Sequence, residues 1–417
     1  MKIVIFGVGH CLNRIESFLR EEVDVLFYLD NSTEKQTEQR KGKKIYSLKN
    51  IPDAEFDYVV ISVLEYQGIE RQLIESGYRE NEIIPFFKDG LSFDKYKDIF
   101  HSIPSVQYSL ECRCQYRLGQ MEHKQNVFIN NFVYEMADKV RRGAIELPRI
   151  CTEEETWRKI MWDKVSVSRY GDGEFQIILG SAKDVYQDDD DGLARRLKEI
   201  LVSNLNNHIV ALADDYGCME GLREENKYEI RKYMTEEKRR QHYQYIDMRK
   251  QYYNAYISRP YVIYPHDERE KAYARFVKWK QIWDGRKILL VEGSYTRMGV
   301  GNDLFSNAES IERIITLNKN AYSVYQEIFK AVLQVEKDRI VLIALGPAAT
   351  VLAYDLAQEG YWAIDVGHLD LEYEWYLKGE GYSMIPHKYN NEVVGGTVVD
   401  DIFDEKYDQS IIMKIMG

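Results

Sequence analysis

Short apolar runs that end in polar or glycine-containing turns recur along the chain, and they predict the buried strands of parallel sheets. In the first 90 residues, Lys2–Phe6, Val23–Leu29 and Tyr58–Val63 are such runs, and segments of helical periodicity lie between them. Strands that alternate with helices are typical of βαβ units. The pattern therefore predicts a Rossmann-like α/β domain over residues 1–90.

A segment without a clear strand pattern follows. Ser109–Arg142 mixes apolar and charged residues at near-helical spacing, so residues 91–149 are predicted to form a helical connector. Thr152 and Glu155 then have the spacing of a capping box, which predicts the start of a helix. The later strand-like runs are Lys164–Ser168, Ile209–Leu212, Lys287–Val291, Arg339–Leu345 and Tyr361–Val366. We predict a second, larger Rossmann-like α/β domain over residues 150–417.

Composition narrows the classes of function. The chain has 417 residues and a formal net charge of −12, which argues against nucleic acid as a partner. Its five cysteines are irregularly spaced and predict neither a disulfide framework nor a zinc site. No apolar run reaches the roughly 18 residues that a membrane span needs, and the start has no signal-peptide layout. We expect a cytoplasmic protein without an integral membrane segment.

The strongest candidate for chemistry is the stretch Arg169-Tyr170-Gly171-Asp172-Gly173-Glu174, which follows a predicted strand. Its glycines favour a tight turn, and such a turn brings the carboxylates of Asp172 and Glu174 close together. Hard oxygen ligands suit Mg²⁺ or Mn²⁺, which usually take their other ligands from water and substrate phosphates. Arg169 would then lie near those phosphates. Taken alone, the same residues are more often a solvated turn, so the interpretation depends on the rest of the chain.

Polar loops, usually with glycine, follow the other predicted strands of this domain. Gly346-Pro347 begins a predicted helix whose free N–H groups suit a phosphate, and Thr350 adds a hydroxyl. Parallel sheets bind their ligands at the carboxyl ends of the strands, so we expect these loops to form one composite site. The residues expected to contact substrate are Arg169, Gly171, Arg297, Asn302, Gly346, Pro347 and Thr350.

The first domain carries part of a dinucleotide-binding fingerprint. Gly7 and Gly9 follow the first strand, and Asp30 ends the second, about 20 residues beyond the glycines. Leu12 stands where the third glycine of the fingerprint belongs. Gly7, Gly9 and Asp30 are therefore candidates for binding NAD or another nucleotide, and a vestigial or protein-docking Rossmann domain is at least as consistent with the sequence.

Several ordered blocks of the second domain resemble the GT-D-fold glycosyltransferase family, originally described as a domain of unknown function. The blocks are Arg169–Glu174, Glu292–Phe305, Gly346–Asp355, Ala363–Trp375 and His387–Glu392. The resemblance covers roughly residues 150–395. It implies that Asp172 and Glu174 are the family's Asp-x-Glu motif, which supports a divalent ion and the nucleotide diphosphate. It also implies a UDP-sugar donor and a glycan or glycoprotein acceptor on bacterial surfaces.

A glycosyltransferase needs a stabilised diphosphate leaving group and an activated acceptor hydroxyl. The candidates for a general base at the strand ends are Asp303, His368, Asp370 and Glu372, and the sequence does not decide between inverting and retaining chemistry. One alternative is an NAD-dependent sugar-nucleotide oxidoreductase or epimerase, against which the missing third glycine argues. Another is that the first domain docks the enzyme on other glycosyltransferases. Homo-oligomer formation also stays open.

Overall fold

The computed structural model describes residues 1–182, 187–265 and 267–416, and the chain forms two compact units, Met1–Ala144 and Ile145–Gly417. This division assigns the long helix Ser102–Arg141 to the first unit, although the sequence predicted a separate connector over residues 91–149. Both units have a mainly parallel sheet with helices, so the predicted α/β class with two such domains is confirmed.

The first unit contains a six-stranded sheet of order β3-β4-β2-β1-β5-β6. Its strands are β1 (Lys2–Phe6), β2 (Asp24–Leu29), β3 (Gln39–Arg40), β4 (Lys43–Tyr46), β5 (Tyr58–Ile61) and β6 (Ile83–Pro85). All pairs are parallel except β3 with β4. Its helices are α1 (Leu12–Glu16), α2 (Gln67–Glu75) and α3 (Ser102–Arg141). Alternate residues of β1 enter different cores, Ile3 and Ile5 on one face and Val4 and Phe6 on the other, because side chains of a strand alternate between faces.

The second unit is built on a sheet in which nine strands are described, in the order β15-β12-β11-β13-β14-β8-β9-β10-β7. The strands are β7 (Arg149–Ile150), β8 (Ser166–Tyr170), β9 (His208–Leu212), β10 (Gln251–Asn254), β11 (Lys287–Gly293), β12 (Ser310–Thr316), β13 (Ile340–Ala344), β14 (Trp362–Asp365) and β15 (Ile411–Lys414). All the neighbouring pairs are parallel. Their carboxyl ends therefore meet along one edge of the sheet.

Helices cover both faces of this sheet. They are α4 (Glu153–Asp163), α5 (Asp172–Ile178), α6 (Asp191–Leu201), α7 (Glu224–Tyr233), α8 (Glu236–Tyr243), α9 (Arg269–Trp283), α10 (Tyr325–Val332), α11 (Pro347–Gln358), α12 (Leu369–Lys378) and α13 (Glu405–Ser410). Leu289 and Val291 of β11 enter one core, whereas Ile288 and Leu290 enter the other. This burial on both faces explains why β11 is a continuous apolar run.

The order of the strands reverses beside β8. From β8 the chain continues outward through β9 and β10, whereas β14, β13 and β11 lie on the other side of β8. In open α/β sheets such a reversal leaves a crevice at the carboxyl ends of the strands, where ligands bind. Here the loops after β8 and β14 form the centre of that crevice.

Most local predictions for the second unit agree with the structure. Thr152 and Glu155 form the predicted capping box. Helix α11 begins at Pro347, where the sequence predicted a helix start. His266 lies outside the described residues. In the part of the chain that the structure describes, no helix is long and apolar enough to cross a membrane.

A buried ion pair joins β11 to β12. Arg313 donates to the fully buried Glu292, to the carbonyl of Met298 at 2.8 Å and to Ser410 Oγ at 2.9 Å. Met298 N donates to Glu292 Oε2 at 2.7 Å. Burial raises the pKa of Glu292, and Arg313 opposes that increase.

Replacing Arg313 with Met should lower the free energy of unfolding by about 3–5 kcal/mol, because the buried Glu292 loses its charged partner. Urea unfolding would measure the change. Lys287→Met is the control, since it removes the exposed ion pair between Lys287 of β11 and Asp338 and should leave the transition unchanged. Equal effects of the two substitutions would contradict this account.

Candidate active site

A cavity of about 690 Å³ lies at the carboxyl ends of the strands in the second unit. Residues 169–174, which are the end of β8, Gly171 and the first turn of α5, form one side of it, and Asp215 follows β9. Gly346 and Pro347 contribute from the end of β13, and His368 and Asp370 from the end of β14. The structure thus brings together residues from four strand ends, as the composite-site prediction requires.

Arg169 joins the two strands at the reversal point. Its Nε donates to the carbonyl of Asp365 at 2.9 Å, its Nη2 to Asp365 Oδ1 at 2.8 Å, and its Nη1 to Ser258 Oγ at 2.7 Å. Asp365 is buried, and burial raises its pKa while Arg169 lowers it. Arg169 lines the cavity, but three of its donors bind groups of the protein. Arg169 therefore has fewer donors for binding a phosphate than the sequence suggested.

Asp172 and Glu174 lie in the first turn of α5 and differ in environment. Asp172 is exposed, whereas Glu174 is half-buried and its Oε2 accepts a hydrogen bond from Gly171 N at 2.7 Å. Burial raises the pKa of Glu174 to about 7. One oxygen of Glu174 thus caps α5, and Asp172 is the carboxylate of the motif that is more open to a ligand.

Asp215 is a third carboxylate in the cavity. It follows β9 and was not among the site residues predicted from the sequence. Burial raises the pKa of Asp215 to about 7, and the negative charge of Asp172 adds to the increase. A divalent cation between the two side chains would relieve the repulsion that Asp172 exerts on Asp215, so the pair is a suitable donor set for such an ion. Among the described residues, no group of three His, Cys, Asp or Glu side chains has metal-binding geometry, so water and phosphate would supply most ligands.

After β13, Gly346 and Pro347 line the cavity, whereas Thr350 does not. Gly346 has a positive φ of 54°, and Pro347 occupies the first turn of α11. Thr350, predicted to contact substrate, is instead fully buried. Its Oγ1 donates to the carbonyl of Arg169 at 2.9 Å, and its own carbonyl accepts from Ser168 Oγ at 2.6 Å. Thr350 therefore stabilises the packing of α11 on β8.

The loop after β11 also differs from the prediction. Arg297 is buried and donates to the carbonyls of His387 at 2.9 Å and Asp400 at 2.8 Å. Asn302 donates to Asp370 Oδ1 at 2.9 Å and Glu374 Oε1 at 2.8 Å. Neither side chain lines the cavity, because Arg297 binds backbone carbonyls of the chain after residue 380 and Asn302 binds carboxylates of α12. Their predicted substrate contacts are corrected to structural contacts.

Two of the four general-base candidates lie outside the cavity lining. Asp303 forms an ion pair with Lys280 at 2.8 Å and accepts from Tyr373 Oη at 2.7 Å. Glu372 is fully buried and accepts from the backbone N–H groups of Tyr261 at 3.1 Å and Val262 at 2.8 Å. Both carboxylates are therefore corrected from catalytic candidates to structural residues.

The other two candidates, His368 and Asp370, line the cavity. Asp370 is buried in a network in which its Oδ2 accepts from Lys388 Nζ at 2.6 Å and its Oδ1 from Gly299 N at 2.8 Å. His368 Nδ1 lies 3.1 Å from Glu392 Oε1. Burial alone would raise the pKa of Glu392, but His368 and Arg259 lower it below its usual value, so the carboxylate stays ionised. Of the two, His368 has the less buried side chain.

The segment Glu220–Lys250 is rich in charged residues, which is typical of an exposed insertion, but part of it lines the cavity. Asn226, Glu229 and Tyr233 of α7 line it. Helix α8 packs on α5 through His242, whose ring stacks on Phe175 at 3.8 Å between centroids. Burial lowers the pKa of His242 to about 4, so this contact is neutral. The apolar residues at helical spacing within the charged segment were the signal for this packing.

In the first unit, the carboxylate of Asp30 accepts hydrogen bonds from backbone N–H groups of the same unit. Its Oδ2 accepts from Val8 N at 2.7 Å, and its Oδ1 from Ser32 N at 2.9 Å. Gly7 has a φ of 105°, and a Cβ there would lie 2.6 Å from Val63 Cγ1. Gly9 has open space around it. Because a ribose would compete with two backbone donors for Asp30, this geometry does not favour the dinucleotide role of Gly7, Gly9 and Asp30, which stays a prediction.

Comparison with known families gives two matches. The model described as the glycosyltransferase GT-D fold matches residues 167–393, more than half of the chain. The model described as C2185-like, N-terminal, matches residues 1–84. The two matches fall in different units of the structure.

Similar proteins carry related descriptions. A probable glycosyl transferase Gly of Streptococcus gordonii is 36% identical over 256 residues, which are 60% of this chain and 36% of that protein. Glycosyltransferase GlyD of Streptococcus pneumoniae serotype 4 is 33% identical over 270 residues, 63% of this chain and 32% of that protein. The chain thus matches about a third of the length of each.

Solved structures resemble the second unit. A glycosyltransferase of the domain of unknown function 1792 from Streptococcus sanguinis has a TM-score of 0.60 and 33% identity, covering 64% of this chain and 100% of that one. A second structure is of the domain of unknown function 1792 and is described as having a distinct glycosyltransferase fold. Its TM-score is 0.60 at 33% identity, and the match covers 65% of this chain and 96% of that one.

A substitution at Gly367 tests the contact between Arg169 and Asp365, which joins the ends of β8 and β14. Its φ is +50°, and an added Cβ would overlap the Arg169 guanidinium. Gly367→Ala should therefore destabilise the protein through both backbone strain and displacement of Arg169. Gly360→Ala is the matched control, because its φ is +84° and nothing lies within 4 Å of an added Cβ. Backbone strain costs about 1–2 kcal/mol.

We expect Gly367→Ala to lower the free energy of unfolding by at least about 1 kcal/mol more than Gly360→Ala, the cost of a displaced charged hydrogen bond. Chemical denaturation of both variants measures the difference. Equal losses would show that Arg169 moves aside without cost and that its bonds to Asp365 do not determine the joint.

Proposed function

The chain belongs to the GT-D-fold glycosyltransferase family, and on that premise we propose that the cavity binds a UDP-sugar and transfers its sugar to a hydroxyl of a glycan or glycoprotein. The observation that carries this proposal is the position of the Asp-x-Glu motif at the strand reversal, beside Asp215 and the start of α11. A nucleotide diphosphate needs such a combination of a cation site and backbone donors.

Asp172 is the principal residue proposed to hold a divalent cation, Mn²⁺ or Mg²⁺, with support from Asp215 and Glu174. The repulsion that the negative charge of Asp172 exerts on the Asp215 carboxylate supports this donor set. When bound, the cation would supply charge stabilisation for the diphosphate leaving group. Asp172 is exposed in the first turn of α5, and within the helix only its Oδ2 accepts a side-chain hydrogen bond, from Gln176 Nε2 at 3.3 Å, so its Oδ1 is open to a cation.

The start of α11 is the proposed contact for the phosphates or the ribose of the donor. Helix α11 has twelve residues, and the first turn of a helix leaves backbone N–H groups without intrahelical acceptors. Those groups and the helix dipole favour an anion. Gly346, in the wall of the cavity, allows the backbone a close approach to the ligand.

His368 is the residue proposed to accept the proton of the acceptor hydroxyl. It lines the cavity, and its Nδ1 lies 3.1 Å from Glu392 Oε1 and 3.0 Å from Arg259 Nη1. The carboxylate would stabilise an imidazolium, and the guanidinium, which Glu392 also binds, would oppose it. In that step the acceptor oxygen bonds to the anomeric carbon, the bond from that carbon to the diphosphate breaks, and the proton moves to His368. Asp370 is a weaker candidate because Lys388 already neutralises it.

Aromatic and amide side chains on the remaining walls support a sugar acceptor. Tyr233, Tyr256, Tyr382 and Tyr389 line the cavity together with Asn226. Tyrosine rings pack on the apolar faces of sugars while hydroxyl and amide groups bind sugar hydroxyls. A cytoplasmic role in building bacterial surface glycans fits both the resemblance and the streptococcal relatives.

The oxidoreductase alternative is less well supported, because Asp30 binds backbone N–H groups of its own unit. The proposal that the first unit docks on other proteins of a glycosylation complex does not depend on that carboxylate. It stays compatible with a transferase site formed by the second unit.

A panel of nucleotide sugars with Mn²⁺, scored for hydrolysis and transfer, tests the proposal. We expect a UDP-sugar to be hydrolysed, and we expect Asp172→Ala to lower kcat/KM by about 100-fold or more, since a metal supplies several kcal/mol. Asp191→Ala, which removes an exposed carboxylate in the first turn of α6, is the control and should keep the wild-type rate. A wild-type rate in Asp172→Ala, or in EDTA-treated enzyme, would contradict the proposed cation site.

A further inference from the structure

Helix α3 extends well beyond the part that packs on its own unit. It has 40 residues, a length of about 60 Å at 1.5 Å per residue. Near its start, Ser105 and Ser109 are buried, and the ring of Tyr108 lies 5.6 Å from that of Phe18. From Leu118 to Glu135 every side chain is exposed. The second half of the helix thus has a surface that its own unit leaves open.

The exposed half has an apolar seam with coiled-coil spacing. Asn126, Ile129, Val133, Met136 and Val140 follow one another at intervals of three, four, three and four residues. Such positions form one stripe of a helix and are the a and d positions of a heptad. Ile129 is 53% exposed and Val133 69%, so the stripe faces solvent in the single chain.

The residues at these positions favour two copies of the same helix. Val133 and Val140 occupy a positions and Ile129 and Met136 d positions, and in such an apolar seam one polar residue at an a position specifies the register and the number of strands. Asn126 occupies the preceding a position. A buried asparagine needs a polar partner, and in a symmetric parallel pair the same asparagine of the second helix supplies it.

The apolar area of this half is sufficient for a pair that dissociates on dilution. Leu118 and Phe132 are exposed and lie at g positions, which border the seam. If these two side chains and those of Ile129, Val133, Met136 and Val140 each bury roughly 100 Å², the interface reaches about 600 Å² per copy and about 1,200 Å² in total, the lower end of the range for a specific complex. Met121, Val127, Phe128 and Tyr134 are also exposed but lie at b and c positions, away from this seam.

A lipid surface suits the segment less well. Helices that lie on membranes carry many Lys and Arg residues on their polar side. Between residues 118 and 140 the basic residues are Lys124 and Lys139, and they are matched by the acidic residues Glu122, Glu135 and Asp138. The polar side therefore has no excess of positive charge.

We propose that residues 118–140 of α3 form a parallel two-stranded coiled coil with the same segment of a second copy of this chain. The pairing makes the protein a homodimer through its first unit. It is independent of the chemistry proposed for the second unit, so either proposal can fail without the other.

Sedimentation velocity of the full-length chain over a wide range of concentration tests the pairing. The wild type should be a dimer that dissociates on dilution. Ile129→Glu places a charge in the seam and should raise the dissociation constant by at least about 100-fold, the effect of a few kcal/mol. Asn131→Glu adds the same charge two residues along, outside the seam, and should leave the dimer intact.

Asn126→Val distinguishes a coiled coil from unspecific association. Removing the polar a residue should strengthen self-association and allow species larger than a dimer. Circular dichroism confirms that each variant is folded. A monomeric wild type at all concentrations, equal effects of Ile129→Glu and Asn131→Glu, or weaker association of Asn126→Val would overturn the proposal. So would binding of the monomeric wild type to anionic phosphatidylglycerol vesicles that Ile129→Glu abolishes.

Discussion

The interaction between Arg169 and Asp365 determines the geometry of the cavity, because it joins the ends of the two strands between which the sheet reverses its order. The backbone pairing there is short, with Ile364 opposite Val167 as the registered pair. Side chains extend the joint, since Ser166 Oγ donates to the carbonyl of Tyr361 at 3.0 Å and Trp362 Nε1 donates to that of Val165 at 3.0 Å. The loops that carry Asp172 and His368 are held together by these contacts.

Two buried ionic networks stabilise the far side of the cavity. In one, Arg259 binds the fully buried Glu372 and also Glu392, which contacts His368. In the other, Lys388 binds Asp370 at 2.6 Å and Glu374 at 2.9 Å. These networks join the chain after residue 380 to α12 and to His368, which precedes it. They position His368 in the wall, and the ammonium of Lys388 offsets the charge of Asp370, which explains why these two neighbouring residues have different proposed roles.

The sequence was sufficient for the α/β class, for most strands of the second unit and for the meeting of their carboxyl ends. Apolar runs and glycine turns are local signals, and parallel pairing places their ends at one edge. It was not sufficient to separate polar residues that face a ligand from those that bind one another. Arg297, Asn302 and Glu372 are polar strand-end residues like His368, yet their partners are more than 60 residues away or are backbone groups. Asp215 was overlooked for the same reason, because its proximity to Asp172 arises only from the pairing of β9 with β8.

The central claim is that Asp172 binds a cation that in turn binds the donor diphosphate, and calorimetric titration of UDP tests it most directly. The titration is performed on wild-type protein and on Asp172→Asn, each with Mn²⁺ and with EDTA. The account predicts that Mn²⁺ increases the affinity of the wild type for UDP by at least about 10-fold, or 1.4 kcal/mol, and that Asp172→Asn loses this increase. Equal wild-type affinity in both buffers, or a cation-dependent increase that Asp172→Asn retains, would contradict it.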